Sequence, residues 1–228
     1  MNFFCKLRDL LYPRGLTCNG CGAELNDDER KYSLCKKCAG KIFDEGDVYF
    51  GERYARSLMI DGYPDVTARA CFRYENVVRK YVIDYKDADK TYLCDYMALH
   101  LTELYERVGL SSDVVAYVPT SPKNRKRRGY DAMKIVAEAF AKRTGLPVCH
   151  DLFRKDGVDQ NQISIDERGE NVKNKFLFRD KIDGRVLLLD DVVTTGATAE
   201  ECARSLLSHG AKEVSVLSFG MAGLKKDQ

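Results

Sequence analysis

Thirteen consecutive residues hold the densest chemistry in the chain: Val186, Leu187, Leu188 and Leu189 run into paired carboxylates at Asp190 and Asp191, and Val192, Val193, Thr194, Thr195, Gly196, Ala197 and Thr198 follow. The apolar run is strand length, and Ala199, Cys202, Ala203, Leu206 and Leu207 keep helical spacing up to Gly210. A buried strand is therefore expected to end at the two acids and a helix to begin at Ala199. A loop between a strand's carboxyl end and a helix N-terminus assembles an anion site, because unpaired N–H groups and the helix dipole face one point. Thr194, Thr195 and Thr198 add hydroxyl donors, and Gly196 lets the backbone approach a phosphate closely. Paired carboxylates are wrong for the phosphate itself. They suit sugar hydroxyls, which can donate to them, or a magnesium ion. The combination points to a phosphate on one end of a diol-bearing sugar, a ribose 5-phosphate.

A second cluster is Cys18-x2-Cys21-x13-Cys35-x2-Cys38, four thiols in two knuckle-spaced pairs. Tetrahedral zinc is the natural occupant, and four thiolates close its coordination sphere, so the site is expected to be structural. Gly20 and Gly22 supply permissive backbone, and Lys36 and Lys37 offset the negative charge. Unmetallated cysteine pairs and an iron-sulfur cluster are the competing readings. The other five cysteines (Cys5, Cys71, Cys94, Cys149, Cys202) stand singly and read as small packing residues.

Alternating strand and helix patterns must position the loop. Strands are expected at Ala70–Tyr74, Val114–Val118, Val186–Leu189 and Val214–Phe219, with a short one at Val148–His150. Helices are expected over Asn76–Lys86, Leu93–Val108 and Ala132–Arg143, the last two stopped at Gly109 and at Gly145 and Pro147. Strands joined by crossover helices make a central parallel sheet flanked by helices, an α/β fold. The chain divides between Phe50 and Pro64, giving a small N-terminal zinc ribbon with an N-terminal helix over 1–60 and an α/β domain over 61–228.

At 228 residues, with 44% hydrophobic and 32% charged, the chain can build a real core, and a folded soluble protein is expected. The net charge of +2 is too even to signal nucleic-acid binding, so any basic surface must be local. No apolar run is long enough to span a membrane, and Lys6, Arg8 and Asp9 interrupt the N-terminus, so a cytoplasmic protein with reduced cysteines is expected. With three histidines and neither HExxH nor GxSxG, common zinc-protease and serine-hydrolase chemistry lacks its residues.

The loop from Val186 to Thr198 resembles the 5-phosphoribosyl 1-diphosphate (PRPP) motif of type I phosphoribosyltransferases: four hydrophobics, two acids, then TGxT. Hypoxanthine-type members place a carboxylate where Thr194 stands, so a 6-oxopurine acceptor is disfavoured. From Lys123 to Arg128 five of six residues are basic, directly after Pro119-Thr120-Ser121-Pro122. Such an arm (Ser121, Lys123, Arg125 and Arg128, with Lys86) serves to clamp the PRPP diphosphate, to contact a nucleic-acid backbone, or merely as a solvated charge run. Pro119, Pro122, Arg125, Arg128, Gly129 and Tyr130, followed by Arg154, Gln160, Arg168, Asn171 and Phe176, are similar to the ComF (ComFC-type) family of competence-associated proteins. Those proteins join a zinc ribbon to a type I phosphoribosyltransferase fold.

The resemblance covers the four cysteines, Tyr85-Lys86, the basic arm, the RxxN segment and the loop. It departs at Gly129-Tyr130-Asp131-Ala132, where the family commonly has Gly-aromatic-Asn-Gln. It implies PRPP with Mg2+ as ligand, structural Zn2+, and a part in uptake or processing of transforming DNA. Single-stranded DNA and competence proteins such as a ComF helicase are the implied partners, with no membrane insertion. The implied activity is a phosphoribosyltransferase with unspecified acceptor; the alternative is a non-catalytic PRPP- or phosphate-sensing module. By the same analogy residues 154–176, with Arg168 and Asn171, form a hood over the site. Ile163, Ile165, Phe176 and Phe178 instead suit a β-ribbon packed on the sheet.

Overall fold

The computed structural model describes residues 15–30, 33–43, 55–88, 90–154, 176–178 and 181–223. After α1 (Asp27–Arg30) and α2 (Lys36–Phe43) come β1 (Ala55–Leu58), β2 (Val66–Arg73), α3 (Asn76–Asp87), a 3-10 turn at Thr91–Leu93, α4 (Cys94–Arg107) and β3 (Val114–Tyr117). They are followed by α5 (Pro122–Arg128), α6 (Ala132–Thr144), β4 (Leu152–Arg154), β5 (Phe176–Phe178), β6 (Gly184–Val193), α7 (Ala197–Ser208) and β7 (Ala211–Met221).

Five strands form one sheet in the order β1-β2-β7-β6-β3, parallel except where β1 meets β2. Central β6 is apolar on both sides because both are covered. Leu187 and Leu189 join the core under α3, α4 and α6, whereas Val186 and Leu188 join the core under α7. That is the near-continuous apolar signature of a doubly covered parallel strand. Each fully buried leucine contributes about 1.5–3 kcal/mol.

The antiparallel edge is a departure from the expected parallel sheet. β1 lies on the ribbon side of the expected division at residue 60, yet Ala55 pairs with Arg69 and Leu58 with Val66, so the sheet begins before that point. The short strand expected at Val148–His150 is reduced to a single bridge from Val148 to Val115. β4 and β5 form a separate antiparallel ribbon, and Leu152, Phe176 and Phe178 are buried against α7. The ribbon expected from Phe176 and Phe178 is thus present. The hood residues Arg168 and Asn171, with Gln160, Ile163, Ile165 and Cys5, lie outside the described residues.

β6 lies between β3 and β7. Between β3 and β6 in the chain, α6 covers one face, and α7 after β6 covers the other. This reversal opens a crevice at the carboxyl ends of β3 and β6, where open α/β sheets bind ligands.

Candidate functional site: an acidic strand end, a threonine loop and a basic helix

β6 continues through Asp190 and Asp191 to Val193, and α7 starts at Ala197, so only Thr194, Thr195 and Gly196 connect them. This corrects the expectation that the strand stops at the acids and the helix starts at Ala199. The long neighbour β7 extends the ladder: Val192 pairs with Gly220 and Val193 with Met221, and the Ala222 N–H donates to the Val193 carbonyl at 2.9 Å. Gly196 caps the helix at φ 97°, and a Cβ there would stand 2.6 Å from Leu58 Cδ2, so conformation and space both demand glycine. Thr194, Thr195, Ala197 and Thr198 are exposed while Gly196 and Ala199 are buried; the Ala197 N–H donates to Thr195 Oγ1 at 3.4 Å, and the Thr194 and Thr198 hydroxyls stand on the exposed side of the turn at the N-terminus of α7.

The two carboxylates are pushed apart in character. Asp190 is buried and its Oδ1 accepts from the Asp191 N–H at 2.8 Å. Burial, and then the neighbouring Asp191 charge, raise its carboxyl well above the usual carboxylate range. Asp191 instead holds an ion pair, its Oδ2 lying 2.5 Å from Lys86 Nζ. A buried acid that resists ionisation beside one paired with a lysine is a division of labour found at functional carboxylate pairs.

Lys86 comes from the last turn of α3, and that turn also reaches the basic segment. The expected arm is a helix, α5: Ser121 caps it by accepting from the Asn124 N–H at 3.3 Å, Pro122 takes the first helical position, and Gly129 ends it at φ 79°. Asp87 accepts from Arg127 Nη2 at 2.7 Å and Arg128 Nη2 at 3.2 Å. Burial lifts the Asp87 carboxyl, but the two arginines outweigh it and hold the group below its ordinary value. The turn thus stands between the acidic pair and the basic helix and pairs with both.

Lys123, Arg125 and Lys126 are exposed and, among the described residues, have no carboxylate partner. Arg125 and Lys126 join Lys134, Tyr130 and Asp131 around an open cleft of about 460 Å3. The Tyr130 hydroxyl donates to the Tyr85 carbonyl at 2.8 Å and the Tyr85 hydroxyl to the Ala132 carbonyl at 2.6 Å, fixing α3 against the start of α6. Tyr117 is buried with its hydroxyl 3.2 Å from His150 Nδ1, so it offers no stacking face.

Asp131, at a position where the sequence departs from the pattern it otherwise resembles, caps α6 by accepting from the Lys134 N–H at 3.4 Å and also accepts from Thr120 Oγ1 at 2.9 Å. Sequence reasoning missed this role, although an Asp directly before an apolar helical run is a cap signal. It also missed Asp87 and Arg56. Arg56 lies on the edge strand and donates to the Thr194 carbonyl at 2.6 Å.

The four thiols of Cys18, Cys21, Cys35 and Cys38 lie within 4.8 Å of one another. The Cys21 and Cys35 sulfurs are 3.7 Å apart, against about 3.8 Å for the edge of a tetrahedron with zinc–sulfur bonds of about 2.3 Å. Burial raises the Cys18 thiol, but the N–H groups of Cys35, Cys21 and Gly20 outweigh it and bring its pKa down to about 6. Burial and the neighbouring thiols raise Cys38 to about 12. One thiolate is stabilised while Cys38 resists ionisation, as expected of a site that needs a dication to balance it. The donor set is compatible with zinc. Cys18 and Cys38 share the core of α3, and Lys90 bridges Asn19 Oδ1 at 2.8 Å to Asp84 Oδ2 at 2.9 Å, docking the knuckle on the sheet domain. Of the single cysteines, Cys71, Cys94 and Cys202 are buried, as expected, and Cys149 is partly exposed.

Sheet and site together define a mixed α/β protein, a mostly parallel five-stranded sheet flanked by helices, with a four-cysteine cluster. No protein-family model matches the chain. It is similar to competence protein F of Haemophilus influenzae, 26% identical over 133 residues that cover 56% of this chain and 58% of that protein. Competence protein ComFC of Streptococcus pneumoniae is 29% identical over 158 residues, 68% of each chain. DNA utilization protein YhgH of Salmonella typhi is 30% identical over 107 residues, 46% of this chain and 47% of that one. Thus the chain spans about half the length of the first two kinds of curated relative it matches, competence protein F and YhgH. The glutamine PRPP amidotransferase of B. subtilis superposes with a TM-score of 0.40 at 24% identity, over 55% of this chain and 25% of that one. Among the described residues no helix is long and apolar enough to cross a membrane.

Proposed function

We propose that the chain binds PRPP with Mg2+ at the carboxyl end of β6 and serves DNA uptake or processing as a ComF-type phosphoribosyltransferase-family protein. The observation that carries this reading is the continuous path from Asp190 and Asp191 through Thr194–Gly196 into the N-terminus of α7. In it the exposed loop takes the 5-phosphate, the acids accept from the ribose hydroxyls, and Lys86 leaves Asp191 for the diphosphate. Magnesium, when bound, would offset the diphosphate charge beside these hard oxygen donors. Transfer would break the bond from the anomeric carbon to the diphosphate oxygen as a nitrogen acceptor forms the new one. Zinc in the cysteine cluster and a cytoplasmic location complete the reading.

Calorimetry with PRPP and magnesium is the test. The wild type is expected to bind and the Asp190→Ala/Asp191→Ala variant to lose binding; no binding by the wild type would sink the reading. A diphosphate-release screen against nucleobases and amines then separates a transferase from a PRPP-sensing module, which binds without release.

The unpaired cations of α5 and the cleft they line favour a second role, contact with single-stranded DNA phosphates. Arg125→Ala/Lys126→Ala is expected to weaken DNA binding and to flatten the dependence of log affinity on log salt by roughly 0.7 for each phosphate the variant no longer neutralises. An unchanged slope removes α5 from DNA binding.

A further inference from the structure

The edge strand brings a guanidinium to the loop. Besides the 2.6 Å bond from Arg56 Nη1 to the Thr194 carbonyl, Nη2 donates to the Ala222 carbonyl at 3.4 Å. Leu58, two residues on and on the same side of β1, is fully buried. A Cβ on Gly196 would meet Leu58 Cδ2 at 2.6 Å and Arg56 Cδ at 3.7 Å. Both residues therefore brace the turn, one by contact and the other by hydrogen bonds. Among the described residues no carboxylate pairs with Arg56, so its charge stands uncompensated beside a loop suited to anions.

A trans peptide is planar, so its carbonyl and its N–H point in opposite directions. Holding the Thr194 carbonyl toward β1 turns the Thr195 N–H away from it. We propose that Arg56 is a positioning residue of the phosphate subsite: it presets the Thr194–Thr195 peptide so that the Thr195 N–H is presented to a sugar phosphate, and adds positive charge there. This role rests on the phosphoribosyl reading above and extends it to a residue outside the loop. The clamp uses two nitrogens of a planar fork, which one ammonium cannot reproduce.

The test measures two ligands by calorimetry on the full chain, ribose 5-phosphate for this subsite and magnesium diphosphate for the other, with melting temperatures alongside. Arg56→Met is expected to lose roughly tenfold in ribose 5-phosphate affinity, the size of one charge-assisted hydrogen bond, while diphosphate affinity stays within about twofold. Added methylguanidinium should restore part of the loss. Arg56→Lys, which keeps the charge and serves if the Met variant does not fold, should fall between the two.

Unchanged ribose 5-phosphate affinity in a folded variant overturns the role. An equal loss for both ligands also overturns it, because it marks a general structural defect. If the wild type binds neither ligand, the phosphoribosyl reading itself fails and the Arg56 role with it.

Discussion

Asn in place of Asp190 is expected to weaken PRPP binding by about 10–100-fold, the value of a hydrogen bond to a charged group, while raising the melting temperature. The buried Asp190 carboxyl resists ionisation, because burial and then Asp191 lift its pKa above the ordinary 3.8. In the unfolded chain it ionises near that ordinary value. As pH rises from there the native state holds the extra proton, so the stability that Asp190 allows is full at low pH and is lost as pH climbs through the raised folded pKa.

Ligand binding runs the other way. In the proposed site an ionised carboxylate accepts from a ribose hydroxyl more strongly than a protonated one, so wild-type affinity should rise with pH through that same window. Asn keeps an oxygen for the Asp191 N–H but cannot ionise. Its variant should show a flat affinity profile and, for about 1 kcal/mol recovered, a melting temperature about 2–4 °C higher. Calorimetry from pH 5 to 8 with parallel thermal melts reads both, and wild-type affinity in the variant would remove Asp190 from the site.

Metal analysis is expected to find one zinc per chain, and chelation to cost far more stability than any single surface change. Structural zinc supplies about 10–16 kcal/mol to small cysteine units. Here Cys18, Leu25, Leu34 and Cys38 share a core with Val78 and Tyr81 of α3. Losing the metal should therefore free the knuckle and uncover that face of the helix. Exposing two buried leucines costs about 3–6 kcal/mol, so a strong chelator or Cys38→Ser should lower the main transition by about 5 °C or more. A zinc-free protein that melts with the wild type would overturn the assignment.

Much of this was legible because it is local. Val78, Val82 and Tyr85 mark one side of α3, and all three are buried. The helix after Asp131 stops at Gly145, whose φ is 76°. The four cysteines announce themselves by spacing, and their sulfurs converge. The basic run was legible in composition but not in shape, although Ser121, Pro122 and Gly129 are helix punctuation at both ends. Five cations within six residues leave no apolar face from which a helical period can be read.

Two features were not legible for physical reasons. Asp190 and Asp191 have poor strand propensity, and only pairing with the long β7 carries β6 through them. β1 is four residues with little apolar content, and its place is decided by hydrogen bonds to β2 rather than by its own pattern.

Residue types and spacing, unaided, determined the chemistry available: a threonine-rich loop, two acids, a basic segment, four thiols and an α/β frame to hold them. Tertiary structure decided which group meets which. Lys86 neutralises Asp191, Asp87 holds two arginines of α5 from 40 and 41 residues away, and Arg56 reaches the Thr194 carbonyl from 138 residues away. Periodicity and propensity record what a residue needs from its near neighbours along the chain. Contacts across the sheet depend on strand order and register, which are set by burial of the whole core and leave no repeat in the sequence from which a single partner can be read.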